Sequence, residues 1–263
     1  MEPMLTIAIR AARLAGTIIT RAIPRVDTLK FGKKADLDYV SEIDTQSEKV
    51  IIETLLDAYP DHAILAEESG DMGDSDYLWI IDPLDGTLNF LHGYPQFCVS
   101  IALSVKRKLQ QAVVYDPVRD ELFTASRGRG AQLNDRKIRV SNRKKLEHSL
   151  LATGFPVRAP DLIQNSIDSL RNVIMGGSDV RRGGAAALDL AYVACGRLDG
   201  FWESGLQPWD VAAGALLVSE SGGIVCDNEA SENYLDSSSI VTANPKLIRE
   251  LIPLIKVNQK LER

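Results

Sequence analysis

Histidine and cysteine are scarce in this 263-residue chain, three of each, and neither is arranged for chemistry. His62, His92 and His148 stand far apart with no HxxH or HExxH spacing, which argues against a zinc site. Cys98, Cys195 and Cys226 form no CxxC pair and sit in apolar text such as "FCVSIAL" and "AYVACGRL". They read as reduced core thiols in a reducing compartment, and the expected address is the cytoplasm. A GxSxG elbow with a plausible histidine partner is absent, as is a GxxxxGK loop, so neither a serine hydrolase nor a P-loop enzyme is expected. Apolar runs of about 18 residues are lacking. The opening "MEPMLTIAIRAARLAG" breaks its small apolar residues with Arg10 and Arg13, so neither a membrane span nor a signal peptide is expected. Positive charge is not in excess either: 30 Lys and Arg against 36 Asp and Glu leave a net charge of −6. Nothing in that balance points to a general binder of nucleic acid or membrane surfaces. An acidic chain that takes an anionic substrate needs local positive charge, from metal ions or a few basic residues.

What is present reads as a mixed α/β chain. Apolar residues at helical spacing predict a helix over 4–23, stopped by Pro24. "LKFGKKADLDYVSEID" has no period and reads as irregular, and a helix follows from near Ser41 to Tyr59-Pro60, with Ser41 and Asp44 spaced as a capping box. "AILAEES" and "YLWIID" read as strands ending in acids. From Cys98 to Val140 a hairpin meander is expected, with "VSIALSV", "QQAVVYD", "ELFTAS", "AQLN" and "KIRV" as strands. "SRGRGA" is read as a hairpin turn rather than an RNA contact, and Trp79, Trp202 and Trp209 as core. After residue 148 strands and helices alternate, which places a subdomain boundary in the basic stretch "SNRKKLEHS". The expected division is 1–145, an α+β part carrying strand-end acids, and 146–263, an α/β part, with helices layered over sheets.

The chemistry concentrates in "WIIDPLDGTLNF", Trp79 to Phe90. An apolar strand delivers Asp82 and Asp85 into one turn, while Glu67 and Glu68 end the strand before it. For any one of these acids a solvated strand end is the simpler explanation. Together they suit a hard divalent cation, which takes oxygen ligands at fixed separation. Pro83 stiffens the turn, Gly86 lets it bend, and Asp82, the Leu84 carbonyl and Asp85 can face one centre. The amides of Gly86 and Thr87 then open a segment able to receive a phosphate oxygen. Asp210, in "QPWDVAAG", starts a downstream helix, where a favourable interaction with the helix dipole would also explain it.

These stretches, "EES" at 67–69, "WIIDPLDGTLNF" at 79–90 and "PWDVAAG" at 208–214, resemble the paired signatures of the inositol monophosphatase family. "VVYDPVRDELFTASRGRGAQLN", "LLATGFP" and "RRGGAAALDLAYVACGRLDGFWESGLQPWD" extend the resemblance over nearly the whole chain, toward its bacterial SuhB-type members. The resemblance implies a layered αβαβα sandwich of the inositol monophosphatase and sugar phosphatase type. It implies a Mg2+-dependent, lithium-sensitive, homodimeric phosphomonoesterase acting on inositol 1-phosphate, with two or three Mg2+ ions per site. Glu67, Asp82 and the Leu84 carbonyl would hold one ion; Asp82, Asp85 and Asp210 would hold another. Thr87, hydrogen-bonded to Asp44, would orient and deprotonate the attacking water, with Glu67 counted among the catalytic groups. Gly86 and Thr87 would cradle the phosphate. Glu203 and Gly184-Ala185-Ala186 would contact the hydroxyls of the leaving alcohol, beside Asp210, and Lys33 would add charge from a mobile flap. Ala185 stands where members often carry Ser or Thr, and Leu88 where a Thr is common, so the identity of the alcohol is less secure than the reaction. Fructose 1,6-bisphosphate and phosphoadenosine nucleotides are the alternative substrates. SuhB-type proteins are also associated with transcription antitermination, so Nus factors, RNA or RNA polymerase are expected as partners in a rival, regulatory reading.

Overall fold

The computed structural model describes residues 2–29, 31–35 and 38–256. Helix α1 (Pro3–Ala22) has proline in its first turn and a buried stripe that includes Ala8, Ala11, Ala12, Ala15 and Gly16. Small residues let the helix lie close on what it covers: a Cβ at Gly16 would come within 2.5 Å of the Tyr115 ring. Pro3–Asp27 is long and apolar enough to cross a membrane, with mean hydropathy 1.2. Here its apolar stripe is packed into the core.

The segment expected to be irregular instead contains an antiparallel hairpin, β1 (Phe31–Ala35) with β2 (Asp38–Ser41), paired to no other strand among the described residues. It escaped notice because a ribbon belonging to no larger sheet needs no alternating apolar face. Helix α2 (Glu42–Ala58) starts where the capping box places it, with Ser41 as N-cap and Asp44 reaching back to the Ser41 amide.

The strands that follow are β3 (Ala63–Ala66), β4 (Gly70–Met72) and β5 (Tyr77–Asp85), the last leading into the short α3 (Thr87–Leu91). The meander is β6 (Cys98–Val105), β7 (Lys108–Asp116), β8 (Glu121–Ser126), β9 (Gly130–Leu133) and β10 (Arg136–Lys137). Together they make one eight-stranded sheet in the order β10-β9-β8-β7-β6-β5-β3-β4, antiparallel except between β3 and β5. The strand expected over "KIRV" is only the two residues of β10. Beyond it the chain turns away, and the Val140 amide bonds to the Ser221 carbonyl rather than to β9.

The second half runs β11 (Leu150–Thr153), α4 (Ile163–Met175), β12 (Asp179–Arg181), α5 (Ala186–Ala194), β13 (Gly200–Ser204), α6 (Pro208–Glu220), β14 (Ile224–Cys226), β15 (Ser239–Ala243) and α7 (Ile248–Ile255). Its five strands form a second sheet, β12-β11-β13-β15-β14.

The alternation of side chains along each strand explains the layering. Trp79 and Ile81 of β5, Val99 and Ile101 of β6, and Val113 of β7 share one core with α1 and α2. Their neighbours Ile80, Cys98, Ala102, Ala112 and Val114 face the other way, onto α5 and α6. The same inner core takes Ala152, Phe201 and Ile240 from the second sheet, whose outer face sends Leu151, Trp202 and Val241 against α4 and α7. The order is αβαβα, and because both sheets are covered on both faces their central strands read as unbroken apolar runs.

Candidate active site

Strand β5 is buried from Trp79 to its end, so its last residues arrive at fixed positions. Its pairing with β6 is irregular between Asp82 and Asp85, and this break frees the turn that carries both acids. Asp82 folds one oxygen back onto the Leu84 amide (2.9 Å). Asp85 accepts from the Ala187 amide across the inner layer (2.7 Å). Gly86 closes the turn with φ +93, and a Cβ there would lie 2.8 Å from the Gln96 carbonyl and 3.3 Å from Ala185 Cβ. Only glycine satisfies both demands.

The turn opens into a cleft of about 180 Å³ lined by Glu67, Asp82, Leu84, Asp85, Thr87 and Asp210, among others. Asp210, far away in sequence, enters from the first turn of α6, where one oxygen caps the Gln207 amide (2.7 Å). Its interaction with the helix end and its place in the cleft are therefore both real. Gly86, Gly184, Ala186 and Glu203 also line the cleft. Ala185 lies beneath the lining, 1% exposed. Lys33 sits on β1, and its side chain is outside the described part of the structure.

The electrostatics are those of anions with too little to offset them. Burial, then the charges of Glu67, Asp85 and Asp210, lift the Asp82 carboxyl well above the ordinary carboxylate range. Asp85 is raised to about 7, chiefly by burial, although the Ala187 amide pulls the other way. Asp210 is raised to about 8 by burial and by Asp85, opposed by the Gln207 amide. Like charges brought together out of water disfavour ionisation until a cation joins them. Four carboxylates and the Leu84 carbonyl are the hard oxygen donors that magnesium takes. In donor chemistry and charge the residues fit such an ion. As they stand, no three His, Cys, Asp or Glu side chains among the described residues are gathered around one point.

Beside the acids, Thr87 Oγ1 donates to Asp44 Oδ1 (2.7 Å) and also approaches the Leu84 carbonyl (3.2 Å). Asp44 Oδ2 accepts from both the amide and the hydroxyl of Ser41. Asp44 is fully buried, and burial raises its pKa against the lowering by Ser41 and Thr87. A hydroxyl whose proton is committed to a buried carboxylate presents its lone pairs to the cleft, where they can accept from a water. Nearby, Glu48 of α2 accepts from the Glu68 amide (2.8 Å) and so fixes the end of β3.

Sequence reasoning missed the cleft's other wall. Phe155, Pro156, Val157 and Arg158, which follow β11, and Arg182, which precedes α5, line it. Among the described residues, Arg182 is a cation acting on the Glu203 carboxylate and Arg158 one acting on Asp210. Arg182 stands inside "RRGGAAA", a stretch singled out for other reasons, whereas Arg158 lies two residues past the end of "LLATGFP". Asn89 was also missed; its amide reaches the carbonyls of Gln96 (2.6 Å) and Gly183 (3.0 Å), joining the α3 turn to the loop before α5.

A model of the inositol monophosphatase family matches residues 1–260. The Nus factor SuhB of Pseudomonas aeruginosa is 53% identical over 262 residues, covering 97% of each chain. Among solved structures, the extragenic suppressor protein suhB of Bartonella henselae superposes with a TM-score of 0.94 at 44% identity, covering 99% of this chain and 100% of its own. The inositol monophosphatase of Anabaena (Nostoc) gives 0.85 at 40% identity, with 95% and 94% covered.

Proposed function

Because the chain belongs to the inositol monophosphatase family, we propose that its cleft hydrolyses inositol 1-phosphate, or a similar small polyol phosphate, in a Mg2+-dependent reaction. The observation that carries this is the meeting of Asp82, Asp85 and Asp210, two from β5 and one from α6, with Glu67 in one cleft beside the Thr87–Asp44 pair. Glu67, Asp82 and the Leu84 carbonyl would hold one ion, and Asp82, Asp85 and Asp210 a second. Bound magnesium supplies the positive charge that neutralises phosphoryl oxygens and acidifies water. The amides of Gly86 and Thr87 hold the phosphate in place. Thr87, with its proton directed to Asp44, orients the attacking water, and the Thr87–Asp44 pair receives one proton as the water's oxygen bonds to phosphorus; the bond from phosphorus to the ester oxygen breaks, and that oxygen takes a proton from a second water to leave as the alcohol. Glu203 and the loop at Gly184 and Ala186 face that alcohol. Lithium inhibition and a homodimer belong to the same reading.

The test is phosphate release from inositol 1-phosphate with and without Mg2+, on the unaltered protein and on Asp85→Asn. Turnover is expected only with Mg2+ and to fall at least about a hundredfold in the variant; metal-independent turnover surviving in Asp85→Asn would overturn the mechanism. A substrate panel including fructose 1,6-bisphosphate and a phosphoadenosine nucleotide fixes the substrate.

The name of the 53% identical relative, a Nus factor, favours a second role, binding to Nus factors or RNA polymerase. Capture of those proteins by Asp85→Asn, with phosphate release lost, would separate the two roles. No capture by the unaltered protein would remove the second.

A further inference from the structure

The cleft's outer wall and the strand end that carries Glu203 interlock through two glycines. β11 and β13 run parallel with Thr153 beside Trp202, and Thr153 Oγ1 donates to the Trp202 carbonyl (2.7 Å). Gly154 follows the end of β11, and Glu203 follows Trp202 within β13. The Glu203 carboxylate lies across the bare Cα of Gly154: a Cβ there would overlap all three carboxylate atoms. Gly154 does not adopt the left-handed conformation, unlike Gly205 two residues past Glu203. No left-handed backbone requires glycine there, and a side chain would have to displace the Glu203 carboxylate from its present place. The contact is answered two residues on, where a Cβ at Gly205 would lie 2.8 Å from Pro156 Cβ. The Glu203 carboxylate thus packs on the glycine that precedes the wall, and Pro156 of the wall packs on the glycine that follows Glu203.

We propose that Gly154 is a positioning residue that determines specificity, its missing side chain setting the depth at which the Glu203 carboxylate meets a hydroxyl of the leaving alcohol. The substrates it selects are phosphate esters with a free hydroxyl close to the ester. Any side chain at 154 forces the carboxylate out of register and leaves a phosphatase that no longer distinguishes polyol esters from others. The inference rests on the phosphatase reading and on Glu203 facing the alcohol.

The experiment measures kcat/KM for inositol 1-phosphate and for p-nitrophenyl phosphate, whose leaving group has no neighbouring hydroxyl, in the unaltered protein, Gly154→Ala, Glu203→Ala and the double variant. The ratio of the two values is expected to fall about tenfold or more in Gly154→Ala, the loss of one charge-assisted hydrogen bond, mainly through KM for inositol 1-phosphate. Glu203→Ala should lower it equally, and Gly154→Ala should add nothing in that background, where the overlap is gone. The double variant should also recover the melting temperature that Gly154→Ala loses. A ratio lowered by Glu203→Ala but not by Gly154→Ala overturns the role of Gly154 and leaves that of Glu203 standing. A ratio indifferent to Glu203→Ala overturns both. Failure of the double variant to fold would show that the clash lies elsewhere, also overturning the proposal. No turnover of either substrate by the unaltered protein would instead remove the phosphatase reading beneath it.

Discussion

The acids at the end of β5 and the start of α6 make a prediction about the metal-free protein. In an unfolded chain an aspartate titrates near about 4. In the fold Asp85 is raised to about 7 and Asp210 to about 8, with burial as the first cause of each. Between those values the folded protein holds protons that the unfolded chain has released, so its stability falls as pH rises. The contribution of these groups is fully present below the unfolded value, declines through the neutral range, and is lost above about 8. A divalent cation reverses the order, since it favours the ionised forms. The rise in melting temperature on adding Mg2+ should therefore be larger at pH 8 than at pH 5, and smaller at pH 8 in Asp85→Asn. A Mg2+ effect equal at the two pH values, or absent, would contradict the argument.

At the scale of elements, the start of α2 carries two duties through one carboxylate. Asp44 caps the helix through the Ser41 amide and orients Thr87 through its other oxygen. Ser41→Ala removes the hydroxyl that bonds Asp44 and the Ile43 amide. It should cost about 1 kcal/mol of stability, measured by urea denaturation, and lower kcat several-fold, because Asp44 loses one of its fixings. Stability lost with kcat unchanged would show that the cap and the site are independent. The capping box was readable from the spacing of Ser41 and Asp44, as was β5 from its apolar run, because both patterns are local. The hairpin β1–β2 and the shortened β10 were not. The first pairs with no other strand among the described residues, and the second ends because Val140 finds its partner at Ser221, far along the chain. Periodicity could not show that Asp210 and Asp85 meet, since that is a property of layers; the resemblance of three separated motifs supplied the expectation. The wall at Phe155–Arg158 left no periodic trace at all, because a loop that lines a cleft is under no alternating constraint.

At the scale of the molecule, the cleft is lined by residues from both halves of the chain, and the inner helix layer joins them. The Ala187 amide at the start of α5 bonds Asp85, and α6 delivers Asp210. The spacing of these two helices therefore sets the spacing of the acids. It is fixed by Gly214 in the middle of α6, where any side chain would overlap the Cβ of Leu190 on α5, in a layer where Ala187, Ala191, Ala212 and Ala213 are fully buried. Gly214→Val should force the helices apart at a cost of about 1–3 kcal/mol. Activity should fall further than that loss of folded protein explains, since Asp210 and Ala187 move relative to Asp82 and Asp85 with no change to any cleft residue. The check is phosphate release per folded molecule, with the folded fraction taken from the denaturation curve at the assay temperature. Leu190→Gly in the same chain removes the Cβ that position 214 would meet and should restore part of the activity. A Gly214→Val protein with full activity per folded molecule would mean that the strand ends, and not the helix layer, set the distance between the acids.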